Sequence, residues 1–97
     1  MKYRLHPEAR RDLRDAARFY EDQAGAALAQ QFLAEFDRSI ALLLEYPYLG
    51  GAWLYGKRRL RMQRFRYHIV YGIEHDEVRV MAVAHDSRRP DFWRHRE

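Results

Sequence analysis

The sequence predicts an α+β domain in which a two-helix hairpin covers one face of a small antiparallel sheet. Apolar residues recur with helical spacing in the first half of the chain, and they alternate with polar residues in the second half. The change of period falls in a loop rich in glycine and aromatic residues at positions 46–56. The 97 residues are enough for one modest core, so we expect one domain over residues 1–97 with the order β-α-α-β-β-β.

The first half contains a short strand and two amphipathic helices. Residues 2–6 alternate as a strand, and Pro7 suits the first position of a helix because that position needs no N–H. Gly25 ends this helix, and a second is predicted over residues 26–45. The two helices should pack as a hairpin. Their apolar stripes consist of Ala9, Leu13, Ala16, Ala17, Tyr20 and Ala24 in the first helix, and of Leu28, Phe32, Phe36, Ile40 and Leu43 in the second.

The second half predicts three strands, over residues 57–64, 67–73 and 78–85. The last strand is apolar on both faces, with Val78, Val80 and Ala82 on one side and Met81 and Val83 on the other. A strand that is buried on both faces should lie inside the sheet. The remaining residues, 86–97, are mostly polar.

Several chemistries are excluded by residue type or spacing. There is no cysteine, which excludes disulfides, thiolate zinc sites, iron–sulfur clusters and a cysteine nucleophile. The sequence has no metal-ligand spacing, no glycine-rich phosphate loop and no glycine elbow around Ser39 or Ser87. We therefore expect neither a metal nor a cofactor. No apolar run approaches the roughly 18–20 residues that span a membrane, so we expect no membrane contact. The lack of cysteine suits a reducing cytoplasm, where we expect the protein to be.

Positive charge is concentrated in the second half of the chain. The net charge is +4, and 16 of the 18 basic residues are arginine. Residues 1–50 carry 7 bases and 8 acids, whereas residues 51–97 carry 11 bases and 6 acids. This asymmetry predicts an anionic partner, either nucleic acid or an acidic protein segment, for the second half.

The segment Lys57–Arg66 is the most basic, with six bases and no acid in ten residues. Alternation places Arg59, Arg61 and Gln63 on one face of its strand, and Arg66 follows at its end. Bases on a sheet beside aromatic rings are typical of surfaces that hold a nucleic-acid backbone and stack on its bases. The alternative is a solvated edge strand whose charges prevent edge-to-edge pairing.

A second candidate site follows the last strand. His85 ends this strand and can serve as a general acid or base, and an arginine can stabilise a charged transition state. His68 should lie beside Arg61 across a strand pair. The structural alternatives are a His85 that hydrogen-bonds the chain reversal, an Arg88 that pairs with a helix carboxylate and a His68 that is partly buried in the sheet. The other members of the candidate set are Arg88, Arg89, Phe92 and Trp93.

The chain contains a set of short motifs whose order and spacing resemble those of the RelE/ParE superfamily of type II toxin–antitoxin modules. The resemblance covers nearly the whole chain and includes the β-α-α-β-β-β order. The motifs are His6-Pro-Glu-Ala9, Asp12-Leu13, Phe19-Tyr20, Phe32, Ile40, Tyr46-Pro47, Phe65-Arg66-Tyr67-His-Ile69-Val-Tyr71 and Val83-Ala-His85-Asp-Ser-Arg88-Arg-Pro90-Asp-Phe-Trp93.

The resemblance implies a bacterial toxin that is neutralised by a cognate antitoxin in a hetero-oligomer. ParE-like members poison DNA gyrase, and RelE-like members cut mRNA in the ribosomal A site. The RelE pattern has an arginine where this chain has His68, and a tyrosine near the C-terminus where Phe92 and Trp93 stand. The expectation is therefore a ParE-like gyrase poison that acts by binding its target.

Two alternatives to the gyrase poison are kept. One is a RelE-like ribosome-dependent mRNA endonuclease in which His85, His68 and Arg64 or Arg61 do the chemistry. The other is a basic adaptor without toxicity. For binding of target or antitoxin, the expected residues are Arg59, Arg61, Arg66, Arg88, Arg89, Phe92 and Trp93. An acidic antitoxin segment should cover the basic strand or the corner at residues 88–89.

Overall fold

A computed structural model describes residues Met1–Glu97 and confirms the predicted α+β fold. Five strands form one sheet in the order β1-β5-β4-β3-β2, and both helices pack on one of its faces. The elements are β1 (Lys2–Leu5), α1 (Pro7–Ala24), α2 (Ala26–Glu45), β2 (Gly51–Ala52), β3 (Arg58–Arg61), β4 (Tyr67–Glu74) and β5 (Glu77–His85).

The helices begin and end at the residues that the sequence predicts. Pro7 is the first residue of α1, and His6 Nδ1 accepts a hydrogen bond from the Glu8 N–H at 3.0 Å. Gly25 joins the two helices with φ 94° and ψ 175°, a conformation that side chains essentially forbid. One glycine therefore ends α1 and begins α2.

The sheet is mixed, whereas the sequence predicts an antiparallel one. Strands β3, β4 and β5 form an antiparallel meander, but β1 joins β5 in parallel. Parallel strands need a long connection between them, and the helical hairpin is part of that connection. The predicted strand over residues 57–64 is also too long, because β3 ends at Arg61 and the chain bends through Gln63–Arg66. Arg64 has φ 71°, which is incompatible with a strand.

A bulge in β5 changes which residues face the helices. Val70 pairs with Ala82 and Tyr71 pairs with Val80, so Met81 is an extra residue between them. As a result Ala82 lies with Met81 on the face away from the helices, and Val83 returns to the helix side. The predicted strict alternation, with Ala82 beside Val78 and Val80, is wrong for this reason.

The sheet separates two apolar clusters, so β5 is buried on both faces as predicted. The larger cluster lies under the helices and includes Phe32, Phe36 and Ile40. The smaller cluster lies on the opposite face, where the C-terminal tail (residues 86–97) folds back over the sheet. It consists of Val70, Met81, Ala82, Ala84, Phe92 and Trp93, with Trp53 packed against it.

The free edge of β5 beyond the end of β1 is covered by side chains. Strand β1 ends at Leu5, and the His6 N–H continues the ladder to the Val80 carbonyl at 3.0 Å. Farther along, the Val83 N–H donates to Asp12 Oδ2 at 3.1 Å, and Arg96 donates to the Met81 carbonyl at 3.0 Å. Neither helix is both long and apolar enough to cross a membrane.

Candidate functional site: two surfaces on opposite faces

The largest concave surface is an open groove of about 610 Å³ along the two helices, which we call the helix groove. Its floor is apolar, and one of its floor residues, Leu33, is 37% exposed. A groove with an exposed apolar floor is typical of a site that receives an amphipathic segment. The lining residues are Leu5, Arg10, Leu13, Arg14, Ala17, Arg18, Glu21, Ala26, Ala29, Gln30 and Leu33.

Residue spacing along α1 gives the groove its charge. Arg10, Arg14 and Arg18 follow one another at intervals of four residues, so they form one ridge along the helix. All three are exposed, and Glu21 is the one acid in the lining. The groove therefore offers an apolar floor beside a positive rim, which suits a partner with apolar and acidic side chains.

The second surface lies on the sheet face away from the helices, and we call it the basic face. It comprises Trp53, Tyr55, Arg59, Arg61 and Arg94. The Arg59 guanidinium lies 3.8 Å from the centre of the Trp53 ring, and that of Arg94 lies 4.4 Å from the centre of the Tyr55 ring. These short distances are typical of cation–π stacking.

His68 lies next to Arg61 on this face, as the sequence predicts, and Asp86 links the two side chains. Arg61 pairs with His68 in the sheet register, and Asp86 accepts from both side chains at 3.1 Å. Burial lowers the pKa of His68, and this effect outweighs the hydrogen bond to Asp86, which raises it. Burial raises the pKa of Asp86, but the His68 hydrogen bond and the Arg61 charge bring it below its usual value overall.

These pKa directions define the protonation states near neutral pH. Asp86 is ionised and can only accept hydrogen bonds, so the neutral His68 ring carries its proton on Nδ1. Its Nε2 then bears the lone pair. The Trp53 ring lies edge-on to His68, with 6.2 Å between ring centres. His68 itself is 5% exposed, which matches the expected sheet histidine.

His85 lies on the other face of the sheet. Tyr67 pairs with His85 and His68 pairs with Ala84, so the two histidines alternate to opposite sides. The His85 ring packs edge-on against Tyr67 with 5.2 Å between centres, and its Nδ1 lies 2.8 Å from Ser87 Oγ. Arg64 lies in the bend after β3. The three residues expected for a nuclease are therefore not brought together.

Four of the other predicted binding residues lie in the C-terminal tail, and Arg66 lies in the bend after β3. The Arg88 guanidinium lies 4.0 Å from the centre of the Phe92 ring, and Arg89 pairs with Asp91 at 3.1 Å. Phe92 and Trp93 are 8% and 2% exposed, so they serve as core residues that hold the tail on the sheet. Arg66 is exposed in the bend that follows β3.

Several residues of both surfaces were not predicted from the sequence. Helical spacing alone does not show that Arg10, Arg14 and Arg18 border a groove. Trp53, Tyr55, Asp86 and Arg94 were not among the predicted site residues. Tyr55 could not be predicted, because the sequence does not show that an aromatic residue will adopt a left-handed backbone conformation (φ 56°). No cluster of three His, Asp or Glu side chains could hold a metal ion.

Among solved structures, the chain resembles one described as the chromosomal ParDE TA system from P. aeruginosa, with TM-score 0.78 and 16% sequence identity. That match covers 88% of this chain and 95% of the other. No curated protein sequence matches the chain. The family model described as the ParE toxin of the type II toxin-antitoxin system, parDE, matches residues 3–90. The chain belongs to this ParE toxin family.

Proposed function

We propose that the chain is an active toxin that arrests growth in the cytoplasm by binding DNA gyrase, and that a cognate antitoxin neutralises it. Membership of the ParE toxin family supports a binding toxin. The observation that carries the proposal is the separation of His68 and His85 onto opposite faces of the sheet. A cleavage reaction that used both as acid and base would need both within reach of one phosphodiester.

The helix groove is the site that we assign to the antitoxin. The similar structure is described as a ParDE system, in which toxin and antitoxin occur together. The apolar floor would receive the apolar side chains of an antitoxin helix, and the ridge of Arg10, Arg14 and Arg18 would face its acids. An antitoxin bound there would leave the basic face uncovered. For the basic residues of that face, we therefore favour contact with the target.

Two cell-free assays at matched concentrations test the gyrase proposal. The purified chain should inhibit supercoiling of relaxed plasmid by gyrase and should leave translation of a reporter mRNA unchanged. In cells, DNA synthesis should stop before protein synthesis when both are followed by pulse labelling after induction. Inhibited translation with intact supercoiling would contradict the proposal.

One observation favours the endonuclease as a second candidate. His68, Asp86 and Arg61 form a connected group in which the histidine can accept a proton and the arginine is 63% exposed. If this group cuts mRNA, His68→Gln should reduce ribosome-dependent cleavage by about 10²–10⁴-fold in a folded protein. His85→Ala tests the other histidine. If this variant folds and keeps full toxicity, His85 has no catalytic role.

A further inference from the structure

The basic face carries aromatic rings and guanidinium groups that stack on one another, an arrangement that contact with a protein target does not by itself require. Arg59 covers Trp53 and Arg94 covers Tyr55, while the Tyr55 ring lies edge-on to Trp93 with 6.0 Å between centres. Trp93 and Trp53 both pack on the same apolar cluster. The two stacks therefore belong to one continuous surface.

Tyr55 is the most unusual residue of this surface. Its backbone has φ 56° and ψ 40°, a left-handed conformation that is costly for an aromatic residue. Its ring is nevertheless outside the core, and the residue is 52% exposed. A strained backbone that holds a large apolar ring in solvent is typical of a contact residue. The ring can therefore stack on a flat ligand.

The charges of the face have little internal compensation. Asp86 is the acid in contact with it and already pairs with Arg61 and His68. No carboxylate lies within ion-pair distance of Arg59 or Arg94. Lys57 adds a further base, because its stem lies against Gly72 on this side of the sheet. The uncompensated charges attract a polyanion.

We propose that the basic face binds single-stranded nucleic acid. A guanidinium stacked flat on an aromatic ring still presents its N–H edges to phosphate oxygens. An exposed aromatic ring beside these guanidinium groups can stack on an unpaired base, because every base has a flat π-face. Duplex DNA would offer the phosphates but not the free base faces. This inference goes beyond gyrase inhibition and does not depend on which target the toxin has.

Binding of a labelled oligothymidylate of about 15 nucleotides, followed by fluorescence anisotropy, tests the inference on the purified chain. Contact with three phosphates predicts a fall in affinity of roughly 20-fold between about 50 mM and 200 mM NaCl. Arg59→Gln with Arg94→Gln should weaken binding by about 10-fold or more and reduce the salt slope by about 1.4. Arg14→Gln with Arg18→Gln removes the same charge from the helix groove and should leave affinity within about twofold.

Tyr55→Asn tests stacking separately from charge. Asparagine tolerates the left-handed backbone, so the loop should keep its shape while the ring is lost. Loss of one stacked base predicts roughly 5- to 150-fold weaker binding with an unchanged salt slope. Circular dichroism and thermal unfolding show whether each variant remains folded.

Four results would overturn the inference. They are no binding of the oligonucleotide at the lower salt, equal losses from the two double arginine variants, duplex DNA bound as tightly as the single strand, and polyglutamate of equal charge competing as well as the oligonucleotide. The last would assign the face to an acidic protein segment. Because the assay contains no gyrase, its failure leaves the gyrase proposal standing, and failure of the gyrase assays leaves this one standing.

Discussion

The Asp12 carboxylate and the Arg96 guanidinium form a two-point ion pair between residues 84 positions apart, with distances of 2.6 and 3.1 Å. Their side chains are 11% and 6% exposed. Each also makes one hydrogen bond to the free edge of β5. The pair therefore connects α1, the sheet and the C-terminal tail.

Loss of either partner should destabilise the fold strongly. Arg96→Met leaves the Asp12 charge without its partner in a site that is largely buried, and such a change costs about 3–5 kcal/mol. Asp12→Asn should cost a similar amount, and the double variant should cost less than the sum of the two. Urea unfolding of the three variants measures this. A cost below about 1 kcal/mol for Arg96→Met would contradict the assigned role.

Gly50→Ala should be destabilising because its Cβ has no room. A Cβ at this position would lie 2.8 Å from the Arg59 carbonyl oxygen and 2.7 Å from the Tyr71 hydroxyl. That hydroxyl accepts from the Gly50 N–H and donates to the Pro47 carbonyl, so the loop cannot move away freely. Overpacking of this kind costs about 1–3 kcal/mol.

Gly51→Ala is the matched control for this prediction. A Cβ at Gly51 meets nothing within 4 Å, and its backbone does not need a positive φ. The control should leave the melting temperature nearly unchanged. Equal losses in the two variants would mean that chain flexibility, and not contact with Tyr71 and Arg59, determines the effect at Gly50.

Stability should fall on acidification below the ordinary histidine pKa. Burial lowers the pKa of His68 and of His6 in the folded chain, so the unfolded chain binds more protons as the pH drops below about 6.5. Stability is therefore complete above that pH and decreases toward the folded-state pKa values. His68→Gln should flatten the profile of unfolding free energy against pH, although it also weakens the contact with Asp86. An unchanged slope below pH 6.5 would contradict the buried neutral state of His68.

Phe36→Ala should cost about 3–5 kcal/mol, a large share of the stability of a small domain. Phe36 is 2% exposed and lies in the cluster between α2 and the sheet. Leu33→Ala, one turn earlier and 37% exposed, is the control and should cost clearly less. Thermal or urea unfolding measures both, and an equal cost would show that the buried side of α2 is misassigned.

Arg14→Glu with Arg18→Glu should slow association of a cognate antitoxin and reduce its dependence on salt. These charges line the rim of the helix groove, and rim charges act mainly on the association rate. Arg59→Glu with Arg61→Glu is the comparison, because the sequence predicted that the antitoxin covers either the basic strand or the corner at residues 88–89. Association kinetics at two ionic strengths separate the two surfaces. Slowing by the second variant alone would place the antitoxin on the basic face.

The elements of the fold follow from local patterns that a sequence displays. The stripe through Phe32, Phe36 and Ile40 predicts the buried side of α2, and Gly25 predicts the helix boundary. The bulge at Met81 was not predictable, because it depends on how β5 pairs with β4 and not on the residues of either strand alone. The Asp12–Arg96 pair was missed for a related reason: two charges 84 positions apart give no periodic signal.

The candidate site was predictable in composition but not in arrangement. Arg59 and Arg61 were identified from their density in one strand. Their stacking partner Trp53 lies in a loop whose path the sequence does not specify. Phe92 and Trp93 were expected at a binding surface, as an aromatic pair close to Arg88 and Arg89. In the structure this contact is made with the chain's own sheet.

The one-residue link at Gly25 determines how the helix groove meets a partner. Gly25 is the common boundary of α1 and α2, which form the two sides of the groove. The angle between the helices therefore depends on the backbone torsions of Gly25 as well as on packing. We therefore expect little backbone conformational entropy to be lost on the toxin side when a segment enters. If the antitoxin binds this groove as proposed, the ordering cost of complex formation falls mainly on the antitoxin, and residual helix in its free segment should strengthen binding.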